Sequence, residues 1–196
     1  MFSWRKWRLK TLKRKAEAYF KFRQTNQVSD TVIAKEVALY YRMAKLYDKS
    51  IHKKKFANAE LLALENYRAA AALGNAEAQY IVAKRLIEKG KFWDTMIDSF
   101  YYCRAHEQYR KQCDEEAFVY LQSAEDFGHA LAIRLHGLAY INGWGEQEDK
   151  TKGFQLVVAS IEKDNAWHRA TQIFDEIGLN KPEFFSYIMK AKEQHR

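Results

Sequence analysis

The chain has 196 residues, 47% of them hydrophobic and 15% aromatic, so it holds enough apolar material for a packed core and is not a disordered tail. One proline and 8 glycines are too few for the turns of a sheet-rich fold, and abundant Ala, Glu, Lys, Leu and Arg favour helices joined by short loops. No apolar run approaches the ~20 residues that span a bilayer, the charged N-terminus is not followed by the apolar stretch of a secretory signal, and two cysteines, Cys103 and Cys113, fit a reducing compartment. The expected location is therefore the cytoplasm, with its membrane face as the alternative raised by the first segment.

Formal net charge is +8, and residues 1–24 account for all of it. They contain Arg5, Lys6, Arg8, Lys10, Lys13, Arg14, Lys15, Lys21 and Arg23 against Glu17 alone, which leaves equal numbers of basic and acidic residues in the rest. Leu9, Leu12, Ala16 and Tyr19 fall at i, i+3, i+7 and i+10, one helical stripe, with Phe2 and Phe20 close by. Lys6, Lys10, Lys13 and Lys21 fall opposite, and Trp4 and Trp7 sit among arginines off the stripe. A basic amphipathic helix over 1–24 is expected, with three readings open. It is a capping helix whose stripe packs on the first repeat; or it meets an anionic membrane surface; or it meets an acidic protein or nucleic acid. The contact residues in the last two are Trp4, Arg5, Trp7, Arg8, Lys13 and Arg14. Nucleic acid is disfavoured because the body is neutral, and a Lys-rich, Ser-poor segment does not suit a mitochondrial presequence.

Residues 25–179 read as a helical-repeat domain. Three stretches, 62–89, 116–145 and 152–179, align. Ala63, Ala117 and Gly153 open one helix, and Ala70, Ala124 and Ser160 come seven residues on, along the same face. Gly74, Gly128 and Asp164 occupy the turn, Ala76, Ala130 and Ala166 begin the next helix, and Ala83, Gly137 and Ile173 come at another seven. Small residues let paired antiparallel helices approach, and pairs that bury too little alone stack to share a core. Gly74 and Gly128 suit the left-handed position that stops a helix. An earlier copy spans 37–50, with Tyr41, Ala44 and Lys45 matching Tyr80, Ala83 and Lys84. Ala130 to Ala166 is 36 residues whereas Ala76 to Ala130 is 54, so 18 residues are inserted.

The insertion, at about 91–115, crowds in Phe92, Trp93, Phe100, Tyr101, Tyr102 and Tyr109. Either it lengthens both helices of a hairpin and buries the rings, or it forms a protruding hot-spot surface for a partner. Last, Asn180 and Pro182 resemble a cap and first turn. Phe184, Phe185, Ile188 and Met189 supply one apolar face, so 180–196 is expected to be a C-terminal capping helix.

At these residues the chain resembles the Sel-one-like repeat (SLR) family, relatives of the tetratricopeptide solenoids. ALGNAEAQY at 72–80 matches, and EDFGHALAIRLHGLAYINGWG at 125–145 matches better: Leu135, Gly137, Tyr140, Gly143, Gly145 and Asp149 occupy family positions. The resemblance covers about residues 57–179. It departs from the pattern at Glu146, in the first clear repeat, which lacks the Gly-x-Gly loop, and at Trp167 and Ile173. The resemblance implies an all-α fold: a short right-handed α-solenoid of antiparallel helix pairs. It also implies a non-enzymatic adaptor or scaffold, a subunit of a larger complex such as a bacterial secretion or envelope assembly. By repeat alignment, a partner peptide or helix would lie in a groove lined by Tyr41, Lys45, Tyr80, Lys84 and Arg134, with Phe92 and Trp93 extending it.

Chemistry-bearing motifs are sparse. There is no Gly-rich phosphate loop, no H-E-x-x-H and no C-x-x-C. Cys103 and His106 are one helical turn apart with Cys113 near, but a metal site there lacks a fourth ligand. On one helix, ten residues at about 100° each place the two cysteines on different faces, which excludes an intra-helix disulfide. His129 and His136 read as structural repeat residues. No catalytic residues and no cofactor are expected.

Overall fold

The computed structural model describes residues 4–51, 58–97 and 102–194. Phe2, Phe100 and Tyr101, singled out above, lie outside them, as do residues 195–196. All regular structure among the described residues is helical, as expected. It comprises α1 (Trp4–Thr25), α2 (Asp30–Ile51), α3 (Ala59–Ala72), α4 (Ala76–Ile97), α5 (Arg104–Asp126), α6 (Ala130–Asn142), α7 (Lys150–Lys163), α8 (Ala170–Glu176) and α9 (Phe185–Gln194). Single 3-10 turns at Trp167–Arg169 and Pro182–Phe184 precede the last two. The chain forms two compact units, Met1–Val82 and Ala83–Arg196, divided inside α4. Helices adjacent in sequence pack as pairs. None is long and apolar enough to cross a membrane. α4 and α5 run 22 and 23 residues, so much of the 91–115 segment lengthens these two helices.

Three helix ends share one turn. Gly74 and Gly128 take φ of 87° and 69°, the left-handed region that glycine enters without a Cβ penalty. The residue after each closes the turn, Asn75 N donating to Ala70 O and His129 N to Ala124 O. The same bond in the third hairpin runs from Ala166 N to Ile161 O, and Asn165 holds the left-handed position at φ 50°. That hairpin is therefore one residue out of the alignment read from spacing. Asp164 stays right-handed, because asparagine tolerates the left-handed well better than most non-glycine residues. The shift alters the start of the next helix. Asn75 Oδ1 accepts from Ala78 N at 2.8 Å and His129 Nδ1 from Ala132 N at 3.2 Å, whereas Ala166 has no side chain to cap with. A 3-10 turn and the short α8 come after it.

In the first unit, Leu9, Leu12 and Ala16 of α1 are buried with Leu39 and Met43 of α2, and Tyr19 packs beside them. The α1 stripe is thus a core face. Glu36 of α2 is fully buried and is met by Arg23 of α1, Nε to Oε2 at 2.9 Å. In the second unit, Phe154 of α7 packs against Phe184 and Tyr187, both at 5.3 Å between ring centroids. α6 and α7 meet at Gly137 and Gly153, where a Cβ on either would stand 2.6 Å from the other's carbonyl oxygen. α9 packs through Tyr187, Ile188 and Ala191, with Phe184 of the preceding turn beside them. Phe185 and Met189, expected on that face, are 52% and 57% exposed. The start differs too: Pro182 forces its predecessor into extended backbone, so Lys181 (φ −130°, ψ 144°) is the cap residue. Asn180 instead donates Nδ2–H to Asp175 Oδ1 at 2.7 Å.

Candidate functional site

Helix extension brings the aromatic residues of α4 and α5 together. Trp93 packs edge-on to Phe92 (centroids 5.3 Å apart), stacks on His106 (5.2 Å) and tilts over Tyr109 (5.2 Å). Phe92 and Tyr109 are about half exposed, at 56% and 48%, so these rings pack on Trp93 while staying open to solvent. Trp93 Nε1 and His106 Nδ1 are buried without a hydrogen-bond partner among the described residues, which is costly unless something else supplies one. Tyr102 OH donates to Glu107 at 2.9 Å. Beside the rings lies a concavity of about 520 Å³ lined by Asp94, Glu107, Asp114, Glu115 and Glu146 with Arg110 and Lys111. Arg110 is already engaged there, with Asp94 at 2.6 Å and with Asp114. Five carboxylates against two cations leave the concavity acidic.

The other anticipated groove residues divide between the two units. Tyr41 rests edge-on against Tyr67 at 5.7 Å, and Lys45 Nζ lies 4.7 Å over the Tyr41 ring. Both belong to the first unit, as does half-buried Tyr80. Lys84 is exposed on α4 in the second unit. Arg134 is used between α6 and α7: its side chain is 12% exposed, Nε donates to Ser160 Oγ and Nη2 to Asp164, both at 3.1 Å. Phe92 and Trp93 are brought together, and they recruit His106, which the sequence offered as a metal-ligand candidate. The i, i+3 spacing of His106 and Tyr109 on a helix was the available signal. Cys103 is exposed at the α5 cap and Cys113 is buried. Among the described residues no group of His, Cys, Asp and Glu is arranged to hold a metal ion.

On α1, Trp4 and Trp7 are 58% and 53% exposed. Arg8 lies 5.0 Å over the Trp4 ring, Arg5 reaches Lys49 O at 3.5 Å, and Lys13 and Arg14 are exposed.

His136 is a second buried polar centre. It is 3% exposed and bonded through Nδ1 to Glu125. Phe118 and Tyr140 pack on its ring at 4.7 and 5.0 Å, and Lys152 Nζ reaches Tyr140 OH at 2.6 Å. Burial, opposed by Glu125 and reinforced by Lys152, holds the imidazole below its ordinary pKa. The unfolded chain therefore takes up the proton first as pH falls. The neutral folded imidazole contributes stability above the unfolded value of about 6.5, and that contribution is lost as pH drops through the folded value. Urea titrations between neutral pH and pH 5 are expected to show stability falling in the wild type and a flatter profile for His136→Gln. Identical slopes would remove His136 as the cause.

No protein-family model matches the chain, and no curated protein matches it.

Proposed function

We propose that this protein is a non-enzymatic, cytoplasmic adaptor, a subunit of a larger assembly, and that it holds a protein partner against the rings of α4 and α5. The observation that carries the reading is the cluster around Trp93: exposed Phe92 and Tyr109 packed on it, with two buried ring nitrogens that lack partners among the described residues. Half-exposed aromatic groups around a half-buried tryptophan have the composition of an interface hot spot. The acidic concavity beside them favours a partner that brings a basic side chain next to an apolar one. The scaffold in this reading is a right-handed solenoid of Sel-one-like repeats. The shared turn at Gly74, Gly128 and Asn165 and the small residues where α6 meets α7 support it. A secretion or envelope assembly rests on the family resemblance alone.

Affinity capture of the full chain from its native cell extract tests the proposal, with Phe92→Ala/Tyr109→Ala run beside the wild type. A stoichiometric partner is expected, and the variant should bind it about thirtyfold more weakly, the usual loss at a hot spot. A partner held equally by both proteins, or none at all, refutes recognition at this cluster. Point variants are preferable to deleting residues 1–24, because α1 buries Leu9, Leu12 and Ala16 against α2.

A further inference from the structure

The outward face of α1 is not used by the core. With Leu9, Leu12 and Ala16 buried, 100° per residue places Trp4, Trp7, Thr11, Ala18 and Phe22 within an arc of about 60° on the far side. Trp4, Trp7 and Phe22 are 58%, 53% and 50% exposed. On one flank of this strip run Lys10, Arg14 and Lys21, and on the other Arg8 and Lys15. Among the described residues no ion pair engages Lys10, Arg14, Lys15 or Lys21, while Arg23 is taken by Glu36. The strip is about 27 Å long between Trp4 and Phe22, at 1.5 Å per residue.

We propose that this face of α1 docks the protein on an anionic lipid surface. Trp4, Trp7 and Phe22 enter the interfacial region and the two cation rows meet headgroup phosphates. The order of the groups decides for lipid over other polyanions. A narrow apolar strip between two parallel rows of cations matches a flat boundary that is apolar below and anionic at its edge. A nucleic-acid strand asks for charge that tracks its backbone across a surface, and the basic residues in excess all lie in this one helix. The contact is peripheral, since no described helix can cross a bilayer. The α4–α5 cluster shares none of these residues, so the two surfaces can be tested by separate variants.

The test is co-sedimentation of the full chain with vesicles of phosphatidylcholine alone and of phosphatidylcholine with phosphatidylglycerol, at low salt. Binding to the anionic vesicles is expected to exceed binding to neutral ones at least tenfold, and raising the salt should release it. Lys10→Glu/Arg14→Glu/Lys21→Glu should weaken it about a hundredfold or more, at roughly a three- to tenfold loss per basic residue. Trp4→Ala/Trp7→Ala should weaken it about tenfold. Circular dichroism checks that each variant folds. Quenching of wild-type tryptophan emission by brominated lipid reads insertion without any variant. No association, equal binding to both vesicles, anionic binding that ignores the tryptophans, or absent quenching each overturns the proposal. So does retention by a single-stranded oligonucleotide at a salt concentration where vesicles are released.

Discussion

Arg23→Met is expected to destabilise the first unit by about 3–5 kcal/mol, because it leaves a buried carboxylate without its counter-charge. Glu36 has no exposed side-chain surface, and Arg23 grips it through Nε at 2.9 Å and Nη2 at 3.5 Å. Methionine keeps most of the arginine stem's apolar contact, so the loss reads the charge. Arg23→Met/Glu36→Met should recover most of the stability, since removing both partners also removes the cost of burying the carboxylate. Urea denaturation of the wild type, both single variants and the double variant closes the cycle. A single-variant loss below about 1 kcal/mol, the scale of an exposed pair, would show that Glu36 is solvated in solution. Failure of the double variant to recover would show that the pair is a packing feature and not an electrostatic one.

Gly145→Ala should cost about 3 kcal/mol in the second unit. Gly145 has φ +79°, and an added Cβ would run into the carbonyl oxygen of Asp114 and stand 2.8 Å from Phe118 Cβ. The left-handed strain alone is worth about 1–2 kcal/mol for an L-residue, and overpacking against a backbone adds about 1–3 kcal/mol. Gly178 separates the two effects: its φ is +73° but nothing lies within 4 Å of the site. Gly178→Ala should therefore lose only the strain. Equal losses at the two positions, measured by chemical denaturation, would mean that the loop after α6 does not press on α5 in solution.

That loop marks where reading the chain residue by residue succeeds. Gly143 and Gly145 stand at positions that the resemblance to the Sel-one-like repeats marks, and the glycine turns at 74 and 128 could be placed without coordinates. Backbone demands of that kind are met by one residue type, so they are written locally. The α1 stripe was equally plain, since 3.6-residue periodicity needs only neighbours on the same helix. α9 shows where periodicity stops: four apolar residues at 184, 185, 188 and 189 span more than one face, and the position of α7 selects Phe184 and Ile188 while leaving Phe185 and Met189 in solvent.

The all-helical class, the hairpin turns and the concentration of charge in residues 1–24 come from composition, periodicity and turn chemistry, all local properties. Three things required the folded chain. The third hairpin slipped by one residue because Asn165, not Asp164, took the left-handed position. Arg23, one of the nine basic residues of the first segment, neutralises buried Glu36 thirteen residues away. His106 turned from a candidate ligand into a ring stacked on Trp93. In each, a side chain with several acceptable local fates was assigned one by a partner on another turn or helix, and that choice is made by burial and hydrogen-bond satisfaction across space.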